Sequence, residues 1–448
     1  MEIQATKSEL LSITEFQKNL HYPTGDEKLT SKFFKQYQKT TWYSSTFMKL
    51  ESIDRGDDVI YTLNPNFHYL TSSYLRTTLP PIKVAQKHKA TTRIAWCHNI
   101  GTNIIKIASF NEDDLNYQTI DSVWCDDYFQ YYQSPGAGKR KNHKIGVGSI
   151  PSLEEWTDYL PPYTINVDQP WFYGEETANA YPIFLRNTKN SQVRAEHRYT
   201  FRRQIAELLR MQVLECGEWI NVHPENYMQH LLVGHKTIPK PMLWGEYAYI
   251  TDAEIKTYKC SKKSYDIYIK DIEMIDSENP IKYKSTADIP LECHYPCLAL
   301  FWKAENRPAS KLNNYSNYTT NVENLYEGWD PILKTTLKYT NTAKFENLES
   351  DHFNVAISRK HFPSSPSEPG YHAYSFAWRS DNFDGEVGIV LSKLSAKLTC
   401  KIADNDIYKD PDEEMEEEMP EFLTKVRLLI LKKLTIKNDS DSFTFQLN

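Results

Sequence analysis

The chain has 448 residues, 40% hydrophobic and 25% charged, with a formal net charge of -7 and a pI near 6.0. That length exceeds one ordinary core, so two domains are expected, and the composition excludes a disordered chain. The acidic balance argues against nucleic acid as the main partner.

The start, MEIQATKSELL, lacks a basic region followed by an apolar run, so no signal peptide is expected. Residue 2 is Glu, which excludes a myristoylation signal. No apolar stretch approaches the roughly 18 residues of a membrane span. Seven cysteines, Cys97, Cys125, Cys216, Cys260, Cys293, Cys297 and Cys400, follow no regular spacing. An odd, scattered set predicts reduced thiols and folding in the cytoplasm.

Helical periodicity is scarce. The helix candidates are Thr6 to Leu20 and QIAELLRMQ, Gln204 to Gln212. Strand-like runs rich in β-branched and aromatic residues recur throughout. They cover Ile60 to Leu63, Ile104 to Phe110, Val193 to Phe201, Tyr247 to Ile250 and Tyr265 to Ile272. Further runs are Cys297 to Trp302, Thr335 to Tyr339 and Tyr371 to Trp378. The last belongs to GYHAYSFAW, a stretch full of rings and poor in reactive groups. VRLLILKKLTIKN and the terminal FTFQL also read as strands, which places the chain end in a sheet. Many strands with long loops and few helices predict sandwiches or barrels, and no βαβ rhythm is present. Residues 217 to 241 mix Pro, Gly and His without periodicity, so the domain boundary is expected there. The acidic run DPDEEMEEEMPE, Asp410 to Glu421, reads as a solvated loop, with a contact for a basic partner or a guard for an edge strand as the sharper alternatives.

The candidate chemical motifs fail on spacing. SPGAGKRK, Ser134 to Lys141, lacks the first Gly and the final Ser or Thr of a phosphate loop and is expected to be a flexible basic loop. Cys293-His294-Tyr-Pro-Cys297 is not a chelate pattern, and neither is Cys97-His98. No Gly-x-Ser-x-Gly elbow exists. Arg55-Gly56-Asp57 reads as a tight turn, and the sequons at Asn314, Asn317 and Asn438 as chance. Arg198, Arg202 and Arg203 form a basic cluster that reads as a solvated face or as a partner for acidic groups across an interface. No catalytic, cofactor-binding or metal-binding residue is assigned, and no cofactor is expected.

Several stretches, taken in order, resemble the double jelly-roll major capsid proteins of large nucleocytoplasmic double-stranded DNA viruses, such as iridoviruses and phycodnaviruses. In the first half these are RGDDVIYTL (Arg55 to Leu63), CHNIGTNIIKIASFNEDD (Cys97 to Asp114), IDSVWCDDYFQYY (Ile120 to Tyr132) and QPWFYGEETANAYPIFLRNTKNSQVRAEHRYTFR (Gln169 to Arg202). In the second half they are LWGEYAYITDAEI (Leu243 to Ile255), HYPCLALFWKAEN (His294 to Asn306), NYSNYTT (Asn314 to Thr320), LKYTNTAKFENLESDHFNVA (Leu337 to Ala356) and the GYHAYSF strand (Gly370 to Phe376). The sequence departs from the family at DNFDGEVGIVLSKL (Asp381 to Leu394), at Cys297 and Leu298, and in the acidic insert.

The resemblance implies an all-β fold of two consecutive eight-stranded antiparallel jelly rolls, with a few short helices in loops and at the N-terminus. The expected layout is an N-terminal arm (1-27), a first jelly roll (28-216), a linker (217-240) and a second jelly roll (241-448) carrying the acidic loop 410-421. The implied function is structural: trimeric pseudo-hexagonal capsomers tiling an icosahedral virion shell, made in the host cell cytoplasm. The implied partners are the chain itself in a homotrimer, neighbouring capsomers, minor capsid proteins and inner viral membrane proteins, with no direct nucleic acid. Loops 133 to 150, 217 to 241 and 307 to 330 are expected to form the outer surface or clasp neighbours. The abundant rings are expected in sheet cores and chain-to-chain contacts. The alternatives are a minor capsid or scaffold protein of the same fold, and a jelly-roll carbohydrate-binding protein. A metal-dependent cupin would need a His-rich set that the sequence lacks.

Overall fold

Alternation along the sequence becomes sidedness in the strands. In the computed structural model, Tyr69–Leu79 buries Leu70, Ser73, Leu75, Thr77 and Leu79 and turns Arg76 and Thr78 to solvent. A period of two produces this when only one sheet face is covered. The structure describes residues 43–113, 115–132, 137–175, 179–186, 195–260, 264–277, 279–340, 342–377, 380, 391–403, 421–438 and 443–447. The expected helix Thr6 to Leu20 and nearly all of the acidic stretch lie outside these residues.

The first half builds two five-stranded sheets. One orders Tyr43–Lys49, Met242–Ile250, Tyr69–Leu79 and Tyr163–Asp168, with Tyr181–Pro182 also on Tyr69–Leu79. The other orders Glu51–Arg55, Asp58–Thr62, Ala195–Phe201, Ile105–Glu112 and Leu115–Asp121. The second half repeats the plan. One sheet orders Tyr265–Asp276, Phe422–Asn438, Cys297–Asn306 and His372–Ser375, with Phe443–Leu447 on the long second strand. Its companion orders Thr286–Pro290, Lys397–Ile402, Ile332–Lys338 and Ala343–Glu349. These ladders are antiparallel, and neighbours in the sheets are often distant in the chain. Each body thus returns strands over itself to bury both inner faces.

One expected boundary is corrected. Met242–Ile250 was expected to open the second body, but it lies between Tyr43–Lys49 and Tyr69–Leu79 and completes a sheet of the first. The stretch expected as a linker is itself structured. Leu209–Glu215 and Glu218–Val222 form a hairpin whose turn residues, Cys216 (φ 51°) and Gly217 (φ 95°), are both left-handed. That is the turn geometry that matches strand twist. Pro224 then starts a short helical segment, Pro224–His230. The Pro and Gly of 217 to 241 mark turns inside one body, not a passage between two.

The helix expected at Gln204 to Gln212 is also corrected. Only Ile205–Leu208 is helical, and Leu209–Glu215 is a strand that pairs with Thr92–Trp96 as well as with the hairpin. Short apolar runs carry no period long enough to separate the two states. Of the expected basic loop, Ala137–Val147 is a helix. Arg55-Gly56-Asp57 is the tight turn expected, with Gly56 at φ 84°. The GYHAYSF run supplies His372–Ser375, paired with Cys297–Asn306, in which every residue is buried. The seven cysteines are all unpaired, and only Cys216 and Cys260 are exposed.

Candidate functional site

The helix Ser122–Tyr131 is where the two bodies meet. Asp121 caps it, accepting from the Trp124 N–H at 2.8 Å. About one and a half turns on, Asp126 and Asp127 face inward and are buried. From the second body, the Lys303 ammonium reaches Asp127 Oδ1 at 2.9 Å and donates to the Val123 carbonyl at 3.1 Å. The rings of Tyr318 and Tyr371 lie 4.3 and 4.7 Å from the same ammonium. Lys303 is only 1% exposed. A buried cation is tolerable only where such partners replace water, and here a carboxylate, a carbonyl and two ring faces do so. Burial pushes the Asp127 carboxyl up to about 6, with Lys303 pulling against it.

Asp126 completes the network. It accepts from Thr102 Oγ1 at 2.9 Å, Ser316 Oγ at 2.7 Å and the Tyr318 hydroxyl at 3.2 Å. Asn103 Nδ2 ties the 97–103 turn to Ser316 Oγ at 2.7 Å. Rings seal one side: Phe301 contacts Trp124 and Tyr131 at 5.3 Å each, and Phe362 at 5.5 Å.

The same polarity runs along the rest of the seam. Arg427 of the second body meets Asp121 of the first at 2.5 Å, and also Asp276 of its own body at 2.5 Å. Those two carboxylates hold its guanidinium above its ordinary value against burial, which acts the other way. Lys270 meets Glu175 at 2.9 Å. The Thr119 N–H donates to Asp271 at 2.8 Å, and Lys432 supports that carboxylate at 2.5 Å. Three carboxylates of the first body thus face three cations of the second. Buried pairs of this kind specify one docking geometry more than they add net stability.

The stretches that carried the resemblance converge here. CHNIGTN provides Thr102 and Asn103, and IDSVWCDDYFQYY provides Asp121, Asp126 and Asp127. HYPCLALFWKAEN provides Lys303, NYSNYTT provides Ser316 and Tyr318, and GYHAYSF provides Gly370 and Tyr371. Sequence reasoning did not single out Lys303, although one lysine inside the apolar run CLALFWKAEN was its signal. The loop expected outside at 307 to 330 is in part buried: Asn313, Asn314, Ser316, Asn317 and Tyr318 are all covered. Its sequon asparagines are therefore packed inside, and Asn317 donates to the Asn321 carbonyl at 2.7 Å. The basic cluster also finds partners within the chain. Arg203 pairs with Asp54 at 3.3 Å and Arg198 with Glu196 at 2.5 Å. Arg202 donates to the Asn103 carbonyl at 2.8 Å and covers the Tyr315 ring.

A second polar cluster joins Ser350, His372, Asp330 and Asn354. His372 Nε2 meets both Ser350 Oγ, at 2.5 Å, and Asp330 Oδ2, at 2.9 Å, and Nδ1 faces the Trp302 carbonyl. A nucleophile relay needs the carboxylate on the ring nitrogen opposite the serine, so this is a structural clamp. Burial alone would raise the Asp330 carboxyl, but His372, Ser350 and the Ile332 N–H outweigh it and hold it below 3.8. Asp330 therefore contributes stability at neutral pH that is lost as pH falls below about 4. The urea midpoint is expected to fall between pH 7 and pH 3, and Asp330→Asn is expected to shrink that fall. A fall as large in the variant as in the parent would remove this role. Among the described residues, no group of three or more His, Cys, Asp or Glu is placed to hold a metal ion.

Two antiparallel bodies docked through a buried charged seam define a double jelly-roll fold. The family model for "Large eukaryotic DNA virus major capsid protein" matches residues 254–427, and that for "Major capsid protein N-terminus" matches residues 31–233. The chain belongs to the major capsid protein family of large eukaryotic DNA viruses. The major capsid protein of Simulium iridescent virus is 24% identical over 393 residues, covering 83% of this chain and 80% of the relative. That of Wiseana iridescent virus is 25% identical over 397 residues, covering 83% and 78%. Among solved structures, PBCV-1 VP54 superposes with a TM-score of 0.69 at 13% identity over 92% of this chain and 99% of its own. The Faustovirus major capsid protein gives 0.65 at 6% identity over 94% of each. These relatives are structural proteins, and the role of this chain is structural and not enzymatic.

Proposed function

We propose that this chain forms trimeric pseudo-hexagonal capsomers that tile an icosahedral capsid. The observation that carries the reading is the seam: Asp121, Asp127 and Glu175 facing Arg427, Lys303 and Lys270 make two jelly rolls into one unit with a fixed angle. A tile needs that property, because the angle between its halves sets the angle presented to its neighbours. Three such units place six rolls in a ring with near-sixfold outline. The chain then acts in the virion, after synthesis in the host cell cytoplasm, with itself, neighbouring capsomers, minor capsid proteins and inner membrane proteins as partners. The layout proposed is an arm, a first roll extending through Ile250, and a second roll beyond it. An obligate interface of this kind buries more than roughly 2,000 Å². Light scattering of the purified protein should give three times 52.4 kDa. A monomer mass that does not change with concentration would overturn the proposal.

A further inference from the structure

Two sheet edges in this chain are treated differently. Ala343–Glu349 ends its sheet and is largely exposed, and it carries Lys344, Glu346 and Glu349. Its neighbouring strand answers them, with Lys338 3.1 Å from Glu346. Charged edges of this sort resist pairing with other chains. Tyr43–Lys49 also ends its sheet, and all seven of its residues are exposed. From Tyr43 to Met48 it carries no charge at all. Tyr43 is 72% exposed, Phe47 55% and Met48 41%. The chain continues directly into Glu51–Arg55, the terminal strand of the other sheet, where Ile53 is 53% exposed. In that second sheet, the opposite terminal strand, Leu115–Asp121, is the one that meets the second roll through Thr119 and Asp271.

Phe47 also lines a groove of about 460 Å³ beside this edge. Tyr74, Tyr128, Phe129, Tyr132 and Trp171 share its walls. The ring of Phe47 lies 6.2 Å from that of Tyr74, so edge and groove are one surface. Ser73, Gln169 and Trp171 form the covered floor of this groove, and the seven residues of Tyr43–Lys49 with Tyr74, Tyr128, Phe129 and Tyr132 are its accessible part. Aromatic residues are the side chains that interface centres favour.

We propose that the uncharged edge strand from Tyr43 to Met48, with the aromatic groove beside it, is the surface that a second copy of this chain covers in the capsomer. This rests on the capsomer reading above. Among the described residues no strand pairs with the outer side of Tyr43–Lys49, and a partner copy supplies a neighbour for that side and for the exposed rings. The groove walls Tyr128, Phe129 and Tyr132 lie on or just after the helix that meets the second roll, so the copy would dock beside the seam.

The test uses the full chain and two substitutions of exposed side chains. Phe47→Asp should raise the concentration at which the assembly dissociates at least tenfold, and Val355→Asp, at another exposed apolar position, should leave it unchanged. A third variant, Ser45→Cys, reads the surface without disturbing it when labelling of residue 45 is separated by peptide mass spectrometry from that of the exposed Cys216 and Cys260. Its maleimide labelling should be at least tenfold slower in the assembled protein than in the same protein unfolded in urea. If the parent assembles, and Phe47→Asp assembles equally well or Ser45→Cys labels freely in the assembly, this surface is not the interface. If the parent never assembles, the capsomer reading fails instead.

Discussion

Lys303→Met should cost about 3–5 kcal/mol of unfolding free energy at pH 8, because it leaves the Asp127 carboxylate buried without its cation. The methionine fills much the same space, so packing contributes little to the loss. The penalty should depend on pH in a defined direction. Burial already pushes the Asp127 carboxyl up to about 6, and removing Lys303 pushes it further. Above pH 4 the unfolded chain has lost this proton while the folded variant still holds it. Stability of the variant therefore falls as pH rises from about 4 through the folded value, and the loss relative to the parent is larger at pH 8 than at pH 5. Adding Asp127→Leu should recover most of it, since an apolar pair replaces a buried ion pair at little cost. Urea unfolding of the parent, Lys303→Met, Asp127→Leu and the double variant at the two pH values measures this. Equal losses at both pH values, or no recovery in the double variant, would mean that the pair does not hold the seam.

Gly370→Ala should destabilise by about 2–5 kcal/mol, and Gly56→Ala by only about 1–2 kcal/mol, although both glycines are left-handed. At Gly56, φ is 84° and a Cβ would meet nothing within 4 Å, so only the backbone preference is lost. At Gly370, φ is 87° and a Cβ would lie 2.2 Å from the Tyr318 carbonyl oxygen and 2.8 Å from its Cβ. Relief of that overlap must move Tyr318, whose ring covers Lys303 and whose hydroxyl bonds Asp126. The Gly370 variant should therefore also lose the seam, seen as earlier proteolysis between the two rolls. Equal losses at the two glycines would show that Tyr318 is not held where the chain turns.

The contrast between these two glycines illustrates what a sequence makes legible. Gly56 reads as a turn residue from the sequence, and both glycines sit in turns. That Gly370 is also pressed against Tyr318, a residue 52 positions earlier, is a property of the fold alone. The expected strands were legible for the same local reason: alternation and β-branched or aromatic content describe a half-covered sheet face, and Ala195–Phe201, within the expected Val193 to Phe201, follows that pattern closely. Pairing was not legible. Met242–Ile250 follows a Pro- and Gly-rich stretch and was read as a new beginning, yet its hydrogen-bond partners are Tyr43–Lys49 and Tyr69–Leu79, far back in the chain. Gln204 to Gln212 was read as helical because five apolar residues in nine fit either period, and from Leu209 onward the sheet decided.

The seam was half legible. Its members lie in the stretches that mark the family, but as isolated Asp, Lys, Ser and Tyr residues at no informative spacing. Only folding brings Asp127 and Lys303 together across 176 positions. The aromatic count was assigned to cores and contacts between chains. The core part is visible in Phe301, Phe362, Tyr318 and Tyr371, and Tyr43 and Phe47 are exposed, where the proposed interface would use them.

The account stands on two rolls held at one angle and repeated about a threefold axis. Electron cryomicroscopy of the purified assembly tests that most directly. It should resolve six rolls in three identical pairs, each pair with Asp127 against Lys303 and Asp121 against Arg427 as in the single chain. Particles holding one chain each, or pairs whose two rolls sit at different angles from copy to copy, would contradict it.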